Sequence, residues 1–158
     1  DETGEVFAAQ GRAFGSETPK YLTIKFDDKP KIFGLDRIDW TKRICVVEGP
    51  IDSLFVKNCL AVAGADFNNI QDKAIEEDDF SAEDIVMILD NEPRNKEIVK
   101  RMETLIDNKY ELVIWPDSIK EKDINDMVLQ GYDVNTIIDN NIYSGLNAKI
   151  ALVAWKRI

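Results

Sequence analysis

Three short segments of this sequence are apolar without alternation: "RICVV" from Arg43, "DIVMIL" from Asp84 and "ELVIW" from Glu111. A strand with one wet face alternates apolar and polar residues. A strand covered on both faces has no such need, so these runs read as buried strands. Helical patterns lie between them. In "NKEIVKRMETLIDN", residues 95–108, Ile98, Val99, Met102, Leu105 and Ile106 form one apolar stripe. "IDSLFVKNCL" carries Ile51, Leu54, Phe55 and Cys59 at helical spacing, with Pro50 suited to a first helical turn. "AVAGA", residues 61–65, reads as a further short strand. "DINDMVLQG" and "DVNTIIDNN" read as short helices. "SGLNAKIALVAWKRI" reads as a closing helix whose Leu146, Ile150, Leu152, Val153 and Trp155 pack on the sheet. Alternating strands and helices imply right-handed crossovers, hence an α/β fold with a doubly wound, mainly parallel sheet and helices on both faces.

Residues 1–42 follow another pattern. "EVFAAQGRAF" and the alternating "KYLTIKF" read as short strands, "DDKPK" as a turn and "KIFGLDRI" as an extended piece broken by glycine. The division expected is a β-rich subdomain over 1–42, the α/β domain over 43–131 and a helical segment over 132–158. The acidic stretch 72–84 reads as a solvated loop and helix face, with Ser81 an N-cap to Asp84.

No run approaches eighteen apolar residues, so no membrane span is expected. The opening "DETGEVFAAQGRAF" lacks the basic and apolar regions of a signal peptide. It begins without Met, and the chain reads as a piece of something longer from a cytoplasmic protein. Cys45 and Cys59 are expected to be buried, reduced thiols. With no histidine, catalysis by a histidine triad is excluded, and two cysteines alone cannot complete a structural zinc site. The net charge of -10 argues against a broad nucleic-acid-binding face. There is no GxGxxG and no GxxxxGK[ST] to cradle a dinucleotide or a P-loop phosphate.

The apolar runs end on acids. Glu48 closes the first, and Asp52 follows at a helix start. Asp90 and Glu92 follow the next in "ILDNEP", and Asp123 and Asp126 lie in "KDIND" beyond "ELVIW". In a doubly wound sheet the carboxyl ends of neighbouring strands share one edge, where ligands bind. Carboxylates gathered there repel unless a cation joins them. Mg²⁺ (or Mn²⁺) favours such hard oxygen donors and serves phosphoryl transfer.

The order EG-x-x-D, then D-x-[DE] after an apolar strand, then KD-x-N-[DE], resembles the Toprim domain over residues 43 to about 130. The lead-in "GRAFGSETPKYLTI" followed by "KIFGLDRI" is similar to the segment preceding Toprim in bacterial-type primases, and the whole chain resembles most closely the primases of T-even-type phages. The resemblance implies synthesis of short RNA primers from ribonucleoside triphosphates on single-stranded DNA, beside the replicative helicase. It implies that Glu48 acts as general base or metal ligand. Asp90 and Glu92 would be paired metal-binding acids, with Asp123, Asp52 and Asp126 as further ligands. Arg12, Lys20 and Lys122 would contact nucleotide or template phosphates. The chain departs from the commoner D-x-D in having Asp90-Asn91-Glu92, whose longer last acid relaxes the geometry. It also lacks the cysteine and histidine pattern of the family's N-terminal zinc-binding domain. A Toprim nuclease would use the same acids, and a non-catalytic replication-partner module is the other alternative.

Overall fold

In the computed structural model, residues 1–16, 18, 19, 21–62 and 81–158 are described. Strands β1 (Ala8–Arg12) and β2 (Tyr21–Lys25) form an antiparallel hairpin that pairs Arg12 with Tyr21 and Gly11 with Leu22. Gly34, at a φ of 96°, then turns the chain into a single 3-10 turn over Leu35–Arg37, where the sequence reading had an extended piece. Phe33 exchanges backbone hydrogen bonds with Ala61, so the lead-in touches the outer edge of the main sheet.

That sheet contains β3 (Ile44–Val47), β4 (Cys59–Ala61), β5 (Ile85–Met87), β6 (Glu111–Val113) and β7 (Ile142–Tyr143) in the order β4-β3-β5-β6-β7. All neighbours are parallel except β6 and β7. The fold is thus mixed α/β with a mostly parallel sheet. Among the described residues its helices are α1 (Pro50–Ser53), α2 (Lys96–Asp107), α3 (Ile124–Leu129), α4 (Val134–Asn140) and α5 (Gly145–Trp155).

The lack of alternation in the strands has its expected cause. Ile44 and Val46 point into one core with the α2 stripe and with Ala148, Leu152 and Trp155 of α5. Cys45 and Val47 point into another with Ile124, Met127, Val134 and Ile138 of α3 and α4. Every residue of β3 is therefore buried. The chain places β4 on one side of β3 and β5 on the other, so the direction of winding reverses between β3 and β5.

Several expectations are corrected. The helix after Glu48 ends at Ser53, and Cys59 belongs to β4, opposite Cys45. Asn58 breaks the pattern: it adopts a φ of 46° and its side-chain amide donates to the carbonyls of Asp39 and Arg43. Leu54, spaced as if for a core, is 60% exposed. Strand β7 was not anticipated, since two residues carry no periodicity. In α5, Leu152 and Trp155 do pack on the sheet, but Leu146, Ile150 and Val153 face outward. Of "AVAGA" only Ala61 and Val62 are described. Lys20 and residues 72–80 of the acidic stretch lie outside the described residues. Beyond them, Ser81 does pair with Asp84, whose Oδ2 accepts from the Ser81 amide at 3.0 Å and its hydroxyl at 2.8 Å. Both cysteines are free and buried, and burial pushes the Cys45 thiol up to about 11 and Cys59 in the same direction. Among the described residues no helix is long and apolar enough to cross a membrane.

Candidate active site

Glu48 is the first residue beyond β3, and Asp90 the third beyond β5. These two strands are neighbours at the switch of winding. A narrow cleft opens there, lined by Glu48, Asp52, Asp90, Asp123 and Trp115 among others.

Local rules place each acid. The Gly49–Pro50 step lets the chain leave β3 and start α1 at once. Asp52 then folds back over Gly49, so closely that a Cβ on residue 49 would lie 2.4 Å from Asp52 Oδ2. The other Asp52 oxygen accepts from the Asn125 amide at 2.9 Å, tying α1 to the start of α3. Asp123 is the N-cap of α3, where its carboxylate accepts from the Asp126 amide at 2.8 Å.

The acids perturb one another. Burial, then Glu48, Asp52 and Asp123, raise the Asp90 carboxyl to about 6, against the opposing pull of Lys122. Asp52 is raised too, first by burial and then by Asp123, while the Asn125 amide and the charge of Arg12 oppose the shift. Arg12 lies at the end of β1 with its guanidinium 5.7 Å from the Tyr21 ring centre. Its field thus reaches the acid edge from the hairpin.

Not every expected residue enters the cleft. Glu92 faces a neighbouring cavity of about 670 Å³ lined also by Arg94, Asp117, Lys120, Trp155 and Arg157. Lys122 Nζ sits 3.5 Å from Glu92 and 3.7 Å from Asp90. Asp126 is exposed on α3.

Two residues not singled out from sequence hold this edge together. Asn91, between the paired acids, donates to the carbonyls of Ile119 (3.2 Å) and Glu121 (3.1 Å). It also accepts from Trp155 Nε1 at 3.3 Å. Its backbone amide donates to the Lys122 carbonyl at 2.7 Å, so the Asp90 and Lys122 loops are stitched together. Arg101 of α2 makes a hydrogen-bonded ion pair with Glu48. The signal for Asn91 was its setting between two acids, but only the fold reveals its partners.

The donor set is all carboxylate, and Glu48, Asp52, Asp90 and Asp123 outnumber the cations Arg101 and Lys122 paired with acids at this edge. That chemistry fits a hard divalent cation. Among the described residues no three acids lie close enough to hold one ion together. Glu48 and Glu92 instead face the cations Arg101 and Lys122.

Fold and site define a mixed α/β protein with an acidic cleft at its switch point. Compared with known proteins, the chain is similar to the DNA primase of Enterobacteria phage T4, at 36% identity over 162 residues covering 98% of this chain. This bears out the resemblance to phage primases read in the sequence. The chain spans about half of that relative, 45% of its length. A crystal structure of the Aquifex aeolicus primase, comprising zinc-binding and RNA polymerase domains, superposes with a TM-score of 0.63 over 89% of this chain and 38% of its own. At 20% identity that likeness concerns the fold alone. No protein-family model matches the chain.

Proposed function

We propose that this chain carries the catalytic α/β core of a DNA primase of the Toprim type, with the hairpin region 1–42 flanking the site and residues 132–158 closing the sheet. It would use single-stranded DNA as template and ribonucleoside triphosphates as substrates, beside a replicative helicase. The carrying observation is the convergence of Glu48, Asp52, Asp90 and Asp123 on one cleft in a chain 36% identical to a DNA primase.

In this reading Asp90, Glu48, Asp52 and Asp123 would supply oxygen ligands to Mg²⁺ or Mn²⁺ once their side chains swing closer together, with Glu92 and Asp126 at the rim. A cation held there would supply charge neutralisation at the reacting phosphate. A primer 3′-hydroxyl attacks the α-phosphorus, the bond to the pyrophosphate group breaks, and the hydroxyl proton passes to a carboxylate, a role we give to Glu48 as the alternative to its being a metal ligand. Arg12, Lys20 and Lys122 offer cationic groups to template and triphosphate oxygens. The upward pKa shifts of Asp90 and Asp52, caused first by burial and then by neighbouring acids, accord with a functional cluster of carboxyls.

The test is incorporation of labelled ribonucleotides on single-stranded DNA with Mg²⁺. Template-dependent product that falls at least a hundredfold in Asp90→Asn is expected. Degradation of the DNA without product would favour a nuclease, and neither activity would leave a binding module.

A further inference from the structure

The pair between Arg101 and Glu48 joins residues 53 apart in sequence, one on α2 and one at the end of β3. It is not needed to bury either partner. The Arg101 side chain is 46% exposed and that of Glu48 40%. Exposed pairs of this kind add little to folding and open readily. Its position is specific nonetheless. Among the described residues, Glu48 is the one acid of the four lining the cleft with an arginine hydrogen-bonded to it. Lys122 stands 3.5 Å from Glu92 and 3.7 Å from Asp90.

A guanidinium only donates hydrogen bonds, and bonded to one Glu48 oxygen it fixes the carboxylate's orientation and offsets its charge while the second oxygen keeps its lone pairs. A divalent cation approaching Glu48 therefore competes with Arg101 for the engaged oxygen and for the carboxylate's charge. On the reading of the acid edge as a cation site, we infer that Arg101 is a positioning residue. It holds the Glu48 carboxylate in place while the site is cation-free and yields it in exchange for the divalent ion, setting cation affinity. This assigns to α2 a part in loading the site that its apolar stripe alone does not disclose.

The experiment is calorimetric titration of Mn²⁺ into four proteins: the wild type, Arg101→Gln, Glu48→Gln and the double variant. Arg101→Gln is expected to bind Mn²⁺ about three- to tenfold tighter, because the competing cation is gone. Arg101→Lys should fall between the two. In the Glu48→Gln background, Arg101→Gln should change affinity less than twofold. Thermal unfolding in EDTA should be nearly the same for the wild type and Arg101→Gln, which separates this role from a structural one. Unchanged or weaker Mn²⁺ binding in Arg101→Gln would overturn the inference while leaving the cation site standing. Equal tightening in the Glu48→Gln background would also overturn it, reducing the effect to net charge. Absence of Mn²⁺ binding in the wild type would overturn both the inference and the cation-site reading beneath it.

Discussion

Replacing Asp90 with asparagine keeps its shape and removes its charge. Its folded carboxyl titrates near 6 against an ordinary 3.8, chiefly through burial and then through Glu48. A difference of about two pH units corresponds to about 3 kcal/mol. The side chain is 34% exposed, so solvent screening reduces this to about 1.5 kcal/mol. For an acid whose folded value is raised, the folded protein keeps the proton that the unfolded chain releases. Stability is therefore lost as pH rises from about 4 to about 6, and the full penalty stands above 6. In EDTA at pH 7.5, Asp90→Asn should be more stable than the wild type by about 1.5 kcal/mol, or roughly 3–6 °C in Tm. At pH 4.5 most of the gain should vanish. Paired urea denaturations at the two pH values measure it. An equal gain at both pH values, or a loss at pH 7.5, would refute the claim that the Asp90 charge is held at a cost at this edge.

Gly49→Ala should disturb the site, since the new methyl meets Asp52 Oδ2. We expect a loss of about 1–2 kcal/mol and at least a tenfold weaker Mn²⁺ affinity, read by urea denaturation and calorimetry. Asn91→Ala removes three side-chain hydrogen bonds and should destabilise by about 1–3 kcal/mol, with Asn91→Asp no better because a carboxylate cannot donate to the Ile119 and Glu121 carbonyls. Cys45 and Cys59 should resist a thiol reagent at pH 8 in the native protein and react together once urea unfolds it, as buried thiols whose titration is pushed upward.

Much of the site could be read before the fold. An apolar run ending on Glu48 or Asp90 announces a strand buried on both faces, and a parallel sheet then sends such ends to one edge. The α2 stripe was legible because five apolar residues share one helical face, and all five are buried. What failed depended on contacts far apart in sequence. Cys59 looked helical beside Ile51 and Phe55 until pairing with β3 claimed it as strand. The two residues of β7 are defined only by their partner Leu112 and Val113. Asn91 and Arg101 gain their meaning from carbonyls and a carboxylate 28 to 53 residues away.

The central claim is that a divalent cation sits among the strand-end acids. Fe²⁺ substituted for Mg²⁺, with ascorbate and peroxide, cleaves the backbone beside its own binding site. Mapping the cut points locates that site directly. The account predicts cuts near residues 48–52, 90–92 and 122–126, suppressed by excess Mg²⁺. Cuts confined elsewhere, or none that Mg²⁺ suppresses, would contradict it.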